Sequence, residues 1–147
     1  MRIRNAIVLL TVVCGALCGC GGTSARPAAY VAAGNEICAG QVTQLHHLHR
    51  PSTPEQALSY LPHVLAIMHT ETGKLAALDP PASTQAQFAS ALTDSRELSA
   101  ILTRFLQQMR AGIVQLTTFA TVQTESIALS KRLNARFRSV GLTRCVA

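Results

Sequence analysis

Tryptophan is absent from this 147-residue chain, and tyrosine and phenylalanine together supply only six residues. A sheet held by aromatic and β-branched cross-strand pairs has little to build with here. The Ala, Leu, Ser, Thr and Gln that dominate instead suit closely packed helices. Acidic residues are scarce, seven in all, with none before Glu36 and none after Glu125; lysine is scarcer, leaving arginine as eleven of the thirteen basic residues. No apolar run reaches the ~20 residues that a spanning helix needs. Nor does any Pro-, Gly- or Ser-rich stretch inside the chain read as an interdomain linker, so one domain with one core is expected.

What is present begins with an export signal. Arg2 and Arg4 precede the apolar run Ala6 to Leu17, and Gly19, Gly21 and Gly22 come after it. Charged, apolar and small segments in that order form a secretory signal. The segment Leu17-Cys18-Gly19-Cys20 resembles the lipobox of bacterial lipoproteins, with Leu three residues before the modified cysteine and a small residue immediately before it. Cys18 stands where that family usually has Ala or Ser. The resemblance covers the first twenty residues and implies removal of residues 1–19, diacylation of Cys20, and a location on the extracytoplasmic side of the cell membrane. Each acyl methylene buried in the bilayer contributes ~0.8 kcal/mol, and two chains suffice for a stable anchor.

The cysteine count fits an exported chain. Of five cysteines, Cys14 and Cys18 leave with the signal and Cys20 takes the lipid, which leaves Cys38 and Cys145. In an oxidising compartment these two can pair; the alternative is two buried free thiols. A bridge over so long a loop restricts the unfolded chain by about 4 to 5 kcal/mol on chain-entropy grounds. Without Arg2 and Arg4, eleven basic residues stand against seven acidic ones, a mild net charge of +4.

Residues 20–27 are small and polar and read as a flexible tether, with residues 28–147 as the folded part. From about Ala28 to His49, Tyr30 or Val31, Gly34, Ile37, Cys38, Gln41, Val42, Leu45 and Leu48 recur at helical spacing, although Asn35 offers an alternative N-cap for a shorter helix. Thr53, Pro54 and Gln56 make a capping-box start for a second helix with the stripe Leu58, Leu61, Leu65, Met68, Thr72, Leu75 and Leu78. Pro62 should kink its first turns, and Asp79-Pro80-Pro81 ends it. Ser83 or Thr84 caps a third helix with the stripe Phe88, Leu92, Leu98, Leu102, Phe105 or Leu106, and Met109. Gly112 is the break before a fourth stripe of Leu116, Phe119, Ile127, Leu133, Phe137 and Val140, which ends at Gly141. The expectation is an all-α, up-down-up-down four-helix bundle closed by one disulfide. The order of lipobox, inward Cys38, the corner Leu78-Asp79-Pro80-Pro81 and the terminal Gly141-Leu142-Thr143-Arg144-Cys145 looks like small helical lipoproteins of actinobacteria. That resemblance implies a helical envelope protein and brings no activity with it.

Two clusters invite a functional reading. His46 and His49 lie one turn apart at the end of the first helix, with His47 between them, and the turn at Pro51 can carry His63 toward them. Neutral imidazoles so placed suit a transition metal or haem iron, although histidine near a helix C-terminus is favoured by the macrodipole alone. Lys131, Arg132, Arg136, Arg138 and Arg144 form a basic end facing the membrane, where each charge near anionic headgroups adds ~1 kcal/mol; favourable helix-terminal charge accounts for the same residues. Asp94 and Glu97 share a helix face, but Arg96 and surface polarity explain them without acid–base roles. There is no Gly-x-Ser-x-Gly, no His-Glu-x-x-His and no phosphate-cradling glycine loop. A non-catalytic envelope interaction module without a cofactor is therefore the expected role, and a carrier of a metal, haem or apolar molecule between the first two helices, using His46, His49 and His63, is the alternative. The membrane and an envelope protein are the expected partners. Nucleic acid is not, since the basic end carries no interleaved aromatics.

Overall fold

The computed structural model describes residues 25–146; the expected signal at 1–19, the expected lipidation site Cys20, residues 21–24 and Ala147 lie outside the described residues. Four helices, α1 (Ala25–His46), α2 (Pro54–Ala76), α3 (Gln85–Arg110) and α4 (Leu116–Ser139), precede a 3-10 turn at Thr143–Cys145. Each helix packs on the next in sequence, as an up-down-up-down bundle requires, and the 3-10 turn touches both α1 and α4. Among the described residues, α1 and α4 make no close backbone approach of their own. None of the described helices is long and apolar enough to cross a membrane.

Local chemistry sets the helix boundaries. α1 starts at Ala25, inside the segment expected to be tether, and Asn35 lies within it rather than capping a shorter helix. Thr53 caps α2, its hydroxyl accepting from the Gln56 N–H at 3.3 Å, with Pro54 as the first helical residue. The return half of the box is displaced by one residue: Gln56 Oε1 accepts from the N–H and hydroxyl of Ser52 at 2.8 and 2.9 Å. α2 runs through Pro62 as one helix. Thr84 occupies the N-cap of α3 but its hydroxyl donates back to the Pro81 carbonyl at 3.1 Å, so the expected side-chain cap is not formed.

Both α3 and α4 end in the same six-residue device. Gly112 and Gly141 adopt φ of 67° and 83°, conformations that cost glycine no Cβ clash. The next N–H groups, Ile113 and Leu142, donate back to Gln108 and Phe137 at 3.1 and 2.9 Å, closing Schellman motifs. The two differ in the fate of the residue after the glycine. Leu142 is fully buried beside Phe137, whereas Ile113 is 64% exposed.

Around Leu142 the chain is closed. Val31, Gly34, Asn35 and Cys38 fall on one face of α1, at i, i+3, i+4 and i+7, and all four engage the segment 141–145. A Cβ on Gly34 would stand 2.5 Å from Leu142 Cδ2, and one on Gly141 would stand 3.0 Å from Val31 Cγ2. Asn35 donates its amide to the Gly141 carbonyl at 3.2 Å and accepts from the Arg144 N–H at 2.8 Å. Cys38 and Cys145 form the disulfide, with Cα atoms 4.7 Å apart across 107 residues of sequence. Tyr30, Leu75, Phe88, Ala91, Leu92, Phe137 and Val140 complete this core. It lies toward the pole where α1 and α3 begin and α2 and α4 end, here termed the tether pole because the segment expected to be a tether precedes α1.

Two corrections concern the interior. Phe119 and Ile127, expected in the core stripe of α4, are 51% and 49% exposed, while Leu129 is buried. The inward face of α4 runs through Leu129, Phe137 and Val140. Phe119, five full turns before Phe137, lies on that same face but at the end away from the tail, where it meets Phe105, and Ile127 points away from Leu129. On α3, the central helix, Ala91, Ser95 and Ser99 are buried at i, i+4 and i+8. These small residues face α2, where the Ser95 and Thr72 hydroxyls hydrogen-bond at 2.8 Å.

Two measurements check this core. Gly34→Ala gains helix propensity of roughly 1 kcal/mol but forces a methyl onto Leu142, where overpacking costs about 1 to 3 kcal/mol. The variant is therefore expected to unfold at lower urea than the parent, and Gly34→Ala/Leu142→Ala to lose less than the two single changes summed. Tyr30 packs edge-on against Phe88, ring centroids 5.4 Å apart, with no protein group in hydrogen-bonding reach of its hydroxyl. Burial pushes the Tyr30 phenol up from 10.0 to about 12. The folded state thus holds this proton more tightly than the unfolded chain, and the stability it contributes is intact below pH 10 and lost as pH rises toward 12. Tyr30→Phe should be at least as stable at neutral pH, because an unpaired buried hydroxyl costs about 1 to 3 kcal/mol, and alkaline melting should show a smaller loss in the variant.

Candidate functional site

The histidines reach α1's end and α2's outer face because the Pro51 turn reverses the chain between them. His46, His47, His49, His63 and His69 are all exposed. Among the described residues no group of three His, Cys, Asp or Glu is placed to hold a metal ion. His46, His49 and His63 therefore do not form the ligand trio that their spacing suggested. α1 ends at His46, so His49 falls in the connection, where the one-turn helical spacing no longer applies.

The basic end divides in two. On α4, Arg132 and Arg136 lie one turn apart and both reach Asp94 of α3. Arg132 places Nε 3.1 Å from Asp94 Oδ2 and its terminal nitrogen 3.1 Å from Oδ1, while Arg136 Nε stands 2.8 Å from Oδ2. Arg132 also reaches Glu97 Oε2 at 2.9 Å. The hydrogen bond to Asp94 raises the Arg132 guanidinium further above its usual value. These two arginines reach α3, Arg132 with half its side chain still exposed, and Lys131 and Arg138 are exposed. Asp94 is 4% exposed with both oxygens engaged by guanidinium forks. A carboxylate so engaged bridges helices; it is not a free base, and Glu97 beside it does not complete an acid–base pair.

Glu71 was not singled out in the sequence, yet its side chain is among the most buried in the chain. It stands one turn after Met68 and one before Leu75, on α2's inward stripe. Lys74 Nζ meets Oε1 at 2.7 Å and Oε2 has no protein partner. Periodicity marked the position; the residue type hid it.

One concavity lies at the distal pole, the end opposite the disulfide. A groove of about 600 Å³ is bounded by Pro51, Pro54 and Leu58 on one side and by Phe105, Met109, Val114 and Phe119 on the other. Phe105 and Phe119 meet with centroids 6.0 Å apart. Exposed Ile113 adjoins it after the α3 terminus, and Ile127 lies two turns along α4 from Phe119. The rim carries Glu55, whose carboxyl is held below its usual range by a backbone hydrogen bond at its own position and by the Thr53 hydroxyl. This surface can take up apolar side chains.

No family model matches the chain, and no curated protein or solved structure shows significant similarity to it.

The Asp94 bridge has an asymmetry that a mutant pair exposes. Removing both arginines strands a buried charge, whereas removing the carboxylate leaves guanidiniums that are half and one-third exposed and can hydrate. Arg132→Gln/Arg136→Gln is therefore expected to melt several degrees below Asp94→Asn; equal melting temperatures would show that the bridge is solvated.

Proposed function

We propose that this chain is an exported, lipid-anchored protein of the cell envelope, held on the extracytoplasmic side through Cys20, and that it acts as a non-catalytic interaction module. Its distal groove takes up an apolar segment of another envelope protein. The lipobox-like Leu17-Cys18-Gly19-Cys20 supports the anchor. One observation carries the docking role: Ile113 and Phe119, two of the three large apolar side chains exposed among the described residues, lie at the end of the bundle away from the disulfide, and Phe119 lines the groove. Scattered exposed apolar residues need no explanation, but exposed ones set at an apolar concavity mark an interaction surface. Each such side chain contributes about 1.5 to 3 kcal/mol when a partner buries it. With helices of 22 to 26 residues, about 35 Å at 1.5 Å per residue, the groove stands well clear of the tether pole.

Fatty-acid labelling and photo-cross-linking in the host test both parts. Metabolic labelling with a fatty-acid probe should mark the parent chain and Cys20→Ser should abolish the label; a parent chain that takes up no label would refute the anchor. A photoreactive residue at position 119 should give one discrete adduct that Ile113→Asp removes, while the same residue at position 138 gives none. Indistinguishable adducts from both positions would refute a distal docking site.

A further inference from the structure

A second groove, of about 590 Å³, runs between α2 and α3 and differs in character from the distal one. Its charged lining residues are Arg96 and Arg104 on α3 and His69 on α2, and no acidic residue lines it. Arg96 and Arg104 are eight residues apart, about 12 Å along the helix at 1.5 Å per residue. Most basic residues of α2 and α4 that face α3 or their own helix are already satisfied: Lys74 by Glu71, Arg132 by Asp94 and Glu97, Arg136 by Asp94. Arg96 and Arg104 form no ion pair with a described carboxylate, and Glu125, which lines a shallower groove on the other side of Arg104, stands beyond pairing distance. Gly73 leaves the α2 wall open, since a Cβ there would meet nothing within 4 Å.

The hydroxyls of the floor are occupied as donors. Ser99 donates to the Ser95 carbonyl at 3.1 Å and Thr103 to the Ser99 carbonyl at 2.8 Å. The donors left over are two guanidinium forks, the His69 imidazole and the Gln107 amide. Guanidinium forks match the oxygens of phosphate bidentately, and the groove volume lies within the range of small-ligand sites. We propose that the α2–α3 groove is a binding site for a phosphate-bearing ligand, with Arg96 and Arg104 as its two anion-binding residues. The site stands independently of the distal docking role. Arg96 and Arg104 lie about 16 and 28 Å along α3 from its start at the tether pole, a placement that favours a soluble phosphate ester over a lipid headgroup.

The test uses the full chain in neutral detergent without reductant. Calorimetric titration with inorganic pyrophosphate is expected to show saturable binding of one per chain. Arg96→Gln/Arg104→Gln should weaken it by about tenfold or more, the loss expected for charge-assisted hydrogen bonds. Arg50→Gln/Arg110→Gln, which removes the same charge elsewhere, should leave it unchanged, and circular dichroism melts establish that both variants fold. Co-sedimentation with phosphatidylglycerol vesicles, against phosphatidylcholine vesicles, separates the sources. Binding confined to the anionic vesicles and lost in Arg96→Gln/Arg104→Gln assigns the site to a headgroup. Absence of saturable binding to either probe overturns the proposal, as does an equal loss in the two double variants.

Discussion

α1 is held to the bundle through the last residues of the chain. It packs on α2 but makes no close backbone approach to α3 or α4; what closes the ring is the segment 141–145 laid across Val31, Gly34, Asn35 and Cys38. Four kinds of interaction converge there. Gly34 makes room for Leu142, Asn35 satisfies a carbonyl and an amide of the tail, Gly141 turns the chain back with positive φ, and Cys38 bonds to Cys145. Each is individually modest, since hydrogen bonds contribute about 0.5 to 1.5 kcal/mol net. The disulfide favours all of them together, mainly by removing conformations from the unfolded chain.

This closure gives the bundle two unlike ends. At the tether pole all four helices and the tail share one core, from Tyr30 to Leu142. The distal end has no equivalent of the tail. There the Schellman motif of α3 leads into exposed Ile113 instead of a buried leucine, and Phe119 remains half exposed over an apolar groove. Between the poles, α3 is central and is fastened on both sides by polar groups, Thr72 to Ser95 toward α2 and Asp94 to two arginines of α4. These pairs fix how the helices are rotated, which leaves Arg96 and Arg104 unpaired beside α2; Phe119 shares a face with buried Phe137 five turns away and is exposed at the end the tail does not cover.

Much of this was readable in the residues. Four helices are implied by the 3.6-residue apolar period, the break at Gly112 and the end at Gly141 by glycine's tolerance of positive φ, and Thr53 with Gln56 announced α2. The all-helical bundle and the proximity of Cys38 and Cys145 agree with that reading. The misses share a cause: apolar stripes assign burial by residue type, whereas burial here is set by position. Glu71 and Asp94 are buried because cations reach them, Ser95 and Ser99 because they are small where two helices approach. Asn35 carries the side chain of a cap, yet its partners lie more than a hundred residues away, beyond any local pattern. Spacing groups the histidines along a helix extrapolated to His49, whereas α1 stops at His46.

The claim that the C-terminal segment holds α1 is tested most directly by native-state amide hydrogen exchange on Cys38→Ser/Cys145→Ser. The account predicts that α1 loses protection while α3 and α4, fastened to each other through Asp94, keep theirs. Protection retained throughout α1, or lost equally from all four helices, would contradict it.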